Sequence, residues 1–567
     1  MKTAPAFLVP VLLAALSALA GPAVAQTGAA DLPAIPARAA CADLAGVDLT
    51  GIGGAGSEVT QATETTSDGI AVCSVTGRLA PRINFQVLLP TRTWTQRYLQ
   101  VGCGGLCGNI TLRSGASAGC RVLNDGGFVM AATDMGHSGQ SGEWGLDDRQ
   151  RADFAYRAQH LTAEAAKALT QAFYGQPARF SYFNGCSDGG REALVEAMRY
   201  PDDFDGIIAG APAMLFQVQN TLFHGWMARA NSDKDGRTIL TSDKLPVLHR
   251  GVIAACDATD GVADGLIAQP ALCSFDPASL TCAEGADTAQ CLTPAEAAVA
   301  RKFYDGPRDP ATGAALTAGQ PLHGSELNWQ GVYVADSHDQ EVFSTRIVDP
   351  VLRYLAFDPA RPDMTLADLE FTEATLEALR PRHPLFDATN PDLSAFVQSG
   401  GKLILWHGLA DPHIAPANTV ALHKAMVDRL GADTVAGFQR LYLLPGVSHC
   451  GGGQGPSNLD LLTPMMAWVE GGAAPDAVLT SSTAETSDFG QPEGGAEGHG
   501  GPPQMDLGVA SLPDMARPVW PYPATAALTP GADPTRPQGW TRGPDAEIVQ
   551  TRDWPGADLF TPFTPAE

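Results

Sequence analysis

Short apolar segments alternate with longer Ala-rich segments along much of this chain, and the alternation limits the possible folds more than any other feature of the sequence. The short segments are rich in β-branched and aromatic residues and bounded by Gly or Pro, which is typical of strands; they span residues 83–89, 98–102, 128–133, 180–184, 207–210, 403–406 and 441–444. The longer segments have apolar residues at helical spacing and span about residues 148–173, 191–199, 417–430 and 461–469. The pattern predicts an α/β fold, with a mainly parallel sheet covered on both faces.

The alternation stops between about Ala213 and Ala395. This stretch has four cysteines, many Pro and Gly residues, and helical patterns without intervening strands. The chain has 567 residues, which exceeds a typical domain of roughly 150 residues. We therefore predict a sheet domain in two parts, residues 26–212 and 396–567, the second with a C-terminal extension, and an inserted domain over residues 213–395.

The first 25 residues have the pattern of a signal peptide. Lys2 is positively charged, residues 6–20 are almost entirely Ala, Leu and Val, and Ala23-Val24-Ala25 offers small residues to a signal peptidase. Cleavage is predicted after Ala25, because the apolar run is short for the alternative, a membrane anchor. The mature protein is expected to be secreted or periplasmic, where disulfide bonds form. Its 11 cysteines fit that location and leave at least one unpaired.

The charge balance and the hydropathy argue against two classes of partner. The chain has 36 Lys and Arg against 62 Asp and Glu, a formal charge of −26, so most of its surface repels phosphate backbones and anionic lipids. After the N-terminus, no run approaches the roughly 20 apolar residues of a membrane span. We expect neither nucleic acid nor a membrane as a partner, and the sequence leaves the oligomeric state open.

Ser187 is the candidate nucleophile. It lies in Gly185-Cys186-Ser187-Asp188-Gly189, a G-x-S-x-G motif between a predicted strand and a predicted helix. That context is typical of a nucleophile elbow, whose glycines permit a turn too tight for a Cβ. A G-x-S-x-G motif alone is weak evidence in a Gly-rich chain, so its placement carries the prediction.

Asp411 and His449 are the candidate acid and base. A serine nucleophile needs a base and an orienting carboxylate, and in such folds they follow in the order Ser, acid, His, each just after a late strand. Asp411 and His449 have this order and these positions; the alternative is a helix cap and a turn histidine. A metal site of His407, Asp411 and His413 is less favoured, because no further ligands lie nearby and His413 is expected in a surface loop.

Two cysteines flank these candidates. Cys186 precedes Ser187 and Cys450 follows His449. If the three candidate residues come together, the two sulfurs come close enough to form a disulfide bond. Such a bond would tie the elbow to the histidine loop; the alternative is two unrelated buried thiols.

The chain resembles the tannase and feruloyl esterase family, which also contains bacterial mono(2-hydroxyethyl) terephthalate hydrolases. The resemblance extends from Cys41 to the Arg517-Pro518 region. Its motifs are the two Cys-flanked candidates together with Tyr156-Arg157-Ala158, Phe183-Asn184-Gly185-Cys186-Ser187, Gly189-Gly190-Arg191, Tyr200-Pro201-Asp202-Asp203-Phe204-Asp205-Gly206 and Ala209-Gly210-Ala211-Pro212.

The resemblance implies an α/β-hydrolase fold with an inserted lid domain, and a secreted serine esterase that cleaves esters of aromatic acids, feruloyl, galloyl or related, through an acyl-enzyme. The expected partner is a small aromatic ester. One alternative is activity like that of the mono(2-hydroxyethyl) terephthalate hydrolases. Another, of a different class, is a calcium-stabilised binding protein without catalysis; a serine peptidase is a third.

An oxyanion hole is expected from backbone N–H groups. One donor is the N–H of Asp188, the residue after the nucleophile. The other is expected in Gly102-Cys103-Gly104-Gly105, which resembles the corresponding loop of the family, and the choice between Gly104 and Gly105 stays open.

Residues 257–266 form a candidate calcium loop. They contain three carboxylates within eight residues and two glycines, a pattern that suits a hard cation with oxygen ligands; a solvated Asp and Gly turn is the alternative. The resemblance implies a structural Ca²⁺ held by the carboxylates of Asp257, Asp260 and Asp264 and the carbonyl groups of Val262 and Leu266.

The resemblance also implies the disulfide pairs Cys41–Cys73, Cys256–Cys273 and Cys282–Cys291, and leaves the pairing of Cys103, Cys107 and Cys120 open. Near the C-terminus, tryptophans such as Trp520 and Trp540 stand where the family often carries a cysteine pair. The candidate substrate contacts in the lid are Trp329, Phe343 and Tyr354 for the ring and Arg346 or Arg353 for a carboxylate.

Overall fold

The computed structural model describes residues 28–338, 340–483, 489–490 and 507–566; the predicted signal peptide lies outside them. A nine-stranded sheet forms the centre of the molecule, in the order β1-β2-β3-β5-β4-β6-β7-β8-β9. Its strands are β1 (Glu58–Ser67), β2 (Ile70–Leu79), β3 (Ile83–Pro90), β4 (Arg97–Val101), β5 (Phe128–Thr133), β6 (Phe180–Cys186), β7 (Gly206–Gly210), β8 (Lys402–Gly408) and β9 (Gln439–Leu444). Pairing is antiparallel from β1 to β5 and parallel from β5 to β9.

The parallel strands are buried on both faces, as their continuous apolar sequences predict. In β8, Leu403 and Leu405 belong to one apolar cluster, whereas Ile404 and Trp406 belong to a second cluster on the opposite face. The side chains of a strand alternate between its two faces, so each face needs its own covering helices. The structure thus confirms the predicted α/β architecture.

The helices that cover the sheet and fill the connections are α1 (Thr50–Gly53), α2 (Arg121–Asn124), α3 (Asp148–Ala152), α4 (Ala158–Tyr174), α5 (Asp188–Arg199), α6 (Phe216–Val218), α7 (His224–Ala230), α8 (Leu245–Cys256), α9 (Pro294–Asp305), α10 (Phe343–Pro350), α11 (Glu373–Leu379), α12 (His383–Phe386), α13 (Ser394–Gln398), α14 (Pro416–Leu430), α15 (Ala432–Phe438) and α16 (Leu462–Gly471). Helices α4 and α5 pack in the first cluster, and α16 packs in the second. Among the described residues, each helix is too short or too polar to cross a bilayer.

The segment between β7 and β8, residues 211–401, contains helices α6 to α13 and, among its described residues, no strand. Much of it packs around an apolar cluster of its own, which includes Phe223, Met227, Phe303 and Trp329. This segment contains the range 213–395 that the sequence assigns to an inserted domain.

The helix expected over residues 148–173 is interrupted. The structure has α3, then a π-helical turn over Asp153–Arg157, then α4. The guanidinium of Arg191 donates to the carbonyl oxygens of Phe154 and Ala155, at 3.2 and 3.1 Å. These carbonyls bond to a side chain from α5, which accounts for the break in the regular helical ladder.

Five disulfide bonds cross-link the chain. They are Cys41–Cys73, Cys103–Cys107, Cys186–Cys450, Cys256–Cys273 and Cys282–Cys291. Four of them are the pairs expected from the sequence. The fifth, Cys103–Cys107, pairs two of the three cysteines whose partners the sequence left open. Cys120 is a buried free thiol, and burial raises its pKa to about 12.

The C-terminal region forms two small sheets. They contain β10 (Asn458–Leu459), β11 (Val478–Ser481) and β12 (Ala516–Val519), and a hairpin of β13 (Ala524–Leu528) and β14 (Trp540–Asp545). Trp520 and Trp540 lie in one buried cluster with Val262, and the Arg517 guanidinium stacks 4.0 Å from the Trp540 ring. Aromatic packing thus joins Trp520 and Trp540, the two residues that stand in the sequence where the resemblance suggests cysteines.

Candidate active site

Ser187 lies on a strained turn between β6 and α5. Its φ and ψ angles are 65° and −122°, a conformation that residues other than glycine rarely adopt. The Ser187 N–H donates to the carbonyl of Gly210 at 3.0 Å, and its carbonyl accepts from the N–H of Ala213 at 2.9 Å. These bonds to the end of β7 hold the turn in place.

The glycines of the motif are sterically required. A Cβ on Gly185 would lie 2.2 Å from the carbonyl oxygen of Gly189, and a Cβ on Gly189 would lie 2.9 Å from the carbonyl oxygen of Cys103. Real Cβ atoms do not approach backbone this closely. The turn therefore requires glycine at both positions of the motif.

Asp411 follows β8 and is fully buried. Its Oδ2 accepts from His449 Nδ1 at 2.7 Å and from His407 Nε2 at 3.1 Å, while its Oδ1 accepts from the N–H groups of His413 and Ile414 at 2.7 and 3.0 Å. Although burial raises the pKa of Asp411, the His449 charge and these hydrogen bonds outweigh burial and hold that pKa well below its usual range. The carboxylate therefore stays ionised.

The Asp411 contact also sets the tautomer of His449. An ionised carboxylate only accepts hydrogen bonds, so the neutral imidazole carries its proton on Nδ1. Its Nε2 then has a free lone pair, which is the form that accepts a proton from a hydroxyl group. His407 supports the same carboxylate and is held in turn by Thr419 Oγ1, 2.7 Å from its Nδ1.

The Cys186–Cys450 disulfide joins the residue before Ser187 to the residue after His449, with 5.8 Å between their Cα atoms. Ser187 and His449 line the same cavity, whose volume is about 670 Å³. The structure thus brings the two candidates, which are far apart in sequence, to one site.

The walls of this cavity combine aromatic, imidazole and amide side chains. His413 lines it, with its ring 4.7 Å from that of His449 and 4.6 Å from that of Phe343. His224 also lines it, and burial lowers its pKa to about 3. His413 is therefore not the surface residue that the sequence suggested, and neither it nor His224 was predicted to line the cavity.

The loop over residues 102–108, named here the oxyanion loop after the role predicted for it, contains two N–H groups that have no acceptor among the described residues. The N–H groups of Gly102, Cys103, Leu106, Cys107 and Gly108 all have acceptors. Those of Gly104 and Gly105 have none among the described residues, and both glycines line the cavity.

Asp188 also lines the cavity. It is the first residue of α5, and its N–H has no acceptor among the described residues. Three free N–H groups, of Gly104, Gly105 and Asp188, are therefore available near Ser187. The structure leaves both glycines as candidates.

Of the residues suggested for substrate contact, Phe343 alone lines the cavity. Trp329 is completely buried in the cluster of the inter-strand segment. Tyr354, Arg346 and Arg353 lie outside the cavity wall, and Arg353 is 3.3 Å from Asp349. The sequence alone does not distinguish an aromatic residue that packs in a core from one that lines a pocket, because both are apolar residues in helical segments.

The candidate calcium loop is compact, and its chemistry fits a cation. Asp260 Oδ2 is buried without a hydrogen-bond partner, and burial raises the pKa of Asp257 and of Asp260. Asp264 Oδ2 accepts from Arg517 at 2.7 Å, so one carboxylate is already neutralised. A buried oxygen without a partner beside further carboxylates is the arrangement that a hard cation stabilises.

The parallel sheet, the strained serine after β6 and the acid and histidine after β8 and β9 define an α/β-hydrolase fold. A family model described as "Tannase and feruloyl esterase" matches residues 67–533. The chain belongs to this family and is a carboxylic ester hydrolase.

Relatives agree with this assignment, and a solved structure agrees with the fold. The chain is 30% identical over 536 residues to mono(2-hydroxyethyl) terephthalate hydrolase of Piscinibacter sakaiensis, covering 81% of this chain and 83% of the relative. It is 29% identical over 407 residues to feruloyl esterase B of Aspergillus niger, covering 68% and 74%. The crystal structure of feruloyl esterase B from Aspergillus oryzae has a TM-score of 0.71 at 24% identity, covering 86% of this chain and 97% of that chain.

Proposed function

We propose that the protein is a secreted or periplasmic serine esterase that cleaves esters of aromatic acids through an acyl-enzyme, with Ser187 as nucleophile, His449 as base and Asp411 as the orienting acid. The observation that carries the proposal is that Ser187 and His449 line one cavity, with the His449 imidazole bonded to an ionised carboxylate.

In the first half of the reaction, His449 Nε2 takes the proton of the Ser187 hydroxyl as Oγ attacks the ester carbonyl carbon. The carbonyl oxygen gains the negative charge, and the N–H of Asp188 with that of Gly104 or Gly105 stabilises it. When the carbonyl re-forms, the bond to the alcohol oxygen breaks, and the alcohol takes the proton from His449.

In the second half, water attacks the acyl-enzyme and gives a proton to His449. The second oxyanion collapses, the bond from the acyl carbon to Ser187 Oγ breaks, and Oγ recovers the proton from His449. The products are one carboxylic acid and one alcohol, and the enzyme returns to its starting state.

The acyl ring is proposed to bind between the sheet domain and the segment over residues 213–395, which acts as a lid. Phe343 from that segment and Trp406 from β8 line the cavity. Flat aromatic and imidazole walls favour a flat ring, and the names of the relatives are those of enzymes for aromatic acid esters.

Initial rates on a matched ester panel test this proposal. We expect kcat/KM for methyl ferulate or methyl gallate to be at least about tenfold above that for an aliphatic methyl ester of similar size. The reason is that an added apolar contact in a fitted pocket contributes about 1–3 kcal/mol. A preference for mono(2-hydroxyethyl) terephthalate instead would favour the alternative activity. Folded protein that cleaves no ester in the panel would favour the binding-protein alternative.

The calcium loop is proposed to hold a structural Ca²⁺ through Asp257, Asp260 and Asp264 and the carbonyls of Val262 and Leu266. The partner-free Asp260 oxygen supports this. Such an ion would stabilise the fold and take no part in ester cleavage.

Removal of Ca²⁺ is expected to lower the melting temperature by a few degrees, because a ligand at about 100 times its Kd contributes about 2.7 kcal/mol. Differential scanning calorimetry with EGTA, then with Ca²⁺ or Mg²⁺ restored, measures this. Asp260→Asn should abolish the response, whereas Asp235→Asn, at an exposed site, should keep it. A melting temperature that ignores both EGTA and Ca²⁺ would contradict the proposal.

Export is supported by the five disulfide bonds, since such bonds persist in oxidising compartments. N-terminal sequencing of the mature protein tests the predicted cleavage after Ala25.

A further inference from the structure

A buried carboxyl group lies directly behind the oxyanion loop. Glu192 is on the second turn of α5 and only 1% exposed. Its Oε2 accepts from the N–H of Cys103 at 3.2 Å. Its Oε1 lies 2.8 Å from Cys103 Sγ and 3.2 Å from Cys107 Sγ. One carboxyl group therefore contacts both ends of the disulfide that closes the loop.

Glu192 is itself fixed by a chain of buried amides. Gln159 Nε2 donates to Glu192 Oε2 at 2.5 Å, and Gln100 Nε2 donates to Gln159 Oε1 at 2.5 Å. Tyr98 in turn donates to Gln100 Oε1. Since Tyr98 and Gln100 belong to β4 and Gln159 to α4, the position of the carboxyl group is set by the centre of the fold.

Within the loop, the disulfide encloses the two free amides. Gly104, Gly105 and Leu106 are the residues between Cys103 and Cys107, and the Cys107 N–H donates to the Gly104 carbonyl at 3.0 Å. A Cβ on Gly102 would lie 2.6 Å from the Cα of Gly189 and 2.9 Å from Glu192 Oε2. The loop is therefore pressed against α5, and a shift of Glu192 would move it.

The surroundings of Glu192 favour its protonated form. Burial and the nearby Asp188 carboxylate raise the pKa of Glu192 well above its usual range, while Arg191 lowers it less. The Arg191 guanidinium is paired with Asp188 at 2.7 Å. In its protonated form, Glu192 can accept from N–H groups with Oε2 and direct its O–H toward the disulfide.

We propose that Glu192 and the Cys103–Cys107 disulfide act together as a positioning device, which holds the oxyanion loop so that the donor N–H, of Gly104 or of Gly105, stays directed at the reacting carbonyl oxygen. This rests on the proposed serine esterase function. Neither group touches the reacting atoms; both act through the backbone of the loop.

Glu192→Ala is expected to lower kcat about 10- to 100-fold with KM within about threefold, because a misplaced oxyanion donor weakens the transition state more than the bound ester. Glu192→Gln should recover kcat to within about threefold of wild type, since an amide has the shape of a protonated carboxyl group. Steady-state kinetics on p-nitrophenyl butyrate measure both variants, with circular dichroism and thermal unfolding as checks of folding.

The disulfide is tested in the same assay. Cys103→Ala/Cys107→Ala should also lower kcat at least about tenfold, and adding Glu192→Ala should cost less than the product of the two losses, because the groups act on one loop. The matched control is Cys282→Ala/Cys291→Ala. It removes a disulfide that also closes a short loop but does not line the cavity. Its kcat should stay within about twofold of wild type.

Wild-type kcat in Glu192→Ala, a loss confined to KM, or an equal loss in Glu192→Gln would overturn the positioning role. If Glu192→Ala does not fold, the glutamine variant and the cysteine pair still decide the question. Failure of the proposed function is separate, since it is read from Ser187→Ala in the same assay: turnover retained without Ser187 would overturn the nucleophile assignment whatever the Glu192 variants do.

Discussion

Ser187→Ala is expected to lower kcat by on the order of 10⁵-fold or more, while the protein stays folded. No other hydroxyl group lies on the strained turn that holds Ser187 at the cavity, so an alanine there leaves the acyl group without an acceptor. Alanine is smaller than serine and fits the same turn, and the backbone hydrogen bonds to Gly210 and Ala213 remain.

The control for this variant is Ser181→Ala. Ser181 lies on the same strand but does not line the cavity, so its kcat should stay within about twofold of wild type. Rates on p-nitrophenyl butyrate and an aromatic ester, with thermal unfolding of each variant, measure the effect. A Ser187→Ala protein that keeps more than about 1% of wild-type turnover would show that another group attacks the ester.

Asp411→Asn is expected to lower kcat by about 10⁴-fold. The carboxylate accepts four hydrogen bonds, and an asparagine must turn an NH₂ group toward His449 or toward the N–H groups of His413 and Ile414. If the NH₂ group faces His449, the imidazole proton moves to Nε2, and the ring can no longer take a proton from Ser187.

Asp387→Asn is a matched control. Asp387 is buried and pairs with His383 Nδ1 at 2.8 Å, but it does not line the cavity. Its replacement should affect stability and leave kcat within a few-fold of wild type. Comparable kcat values for the Asp411 and Asp387 variants would contradict an orienting role for Asp411.

The buried centre of the fold was predictable from the sequence. The strands β6, β7 and β8 are short apolar runs bounded by Gly or Pro. Each begins and ends within two residues of its predicted bounds. Ser187, Asp411 and His449 follow β6, β8 and β9. Because the ends of neighbouring parallel strands lie along one edge of the sheet, the sequence predicts that these residues lie near one another.

The edge of the sheet was not predicted. The strand β1 reads Glu-Val-Thr-Gln-Ala-Thr-Glu-Thr-Thr-Ser and is largely exposed, so it has no apolar period. Its pairing with β2 depends on the turn at Asp68-Gly69, where both residues have positive φ. An Asp-Gly pair beside Thr-rich residues is a hairpin signal that the sequence did contain.

The surroundings of the candidate site required the structure. The spacing of Cys103 and Cys107 leaves their partners open, because Cys120 is an equal candidate in sequence. Nothing in the sequence places Glu192 against their sulfurs, since the contact depends on how α5 packs on the loop after β4. Likewise, the His413 ring lies beside the His449 ring because Asp411 accepts from the backbone N–H groups of His413 and Ile414. The sequence does not show this turn.

Trapping of the acyl-enzyme tests the central claim most directly. Wild-type protein is mixed with a slowly deacylating p-nitrophenyl ester of an aromatic acid, quenched in acid within milliseconds to seconds, and its peptides are mapped by mass spectrometry. We expect one acyl group on the peptide that contains Ser187, formed in a burst of p-nitrophenol and absent from Ser187→Ala. Steady turnover with no burst and no adduct, or an adduct on another residue, would contradict the proposed mechanism.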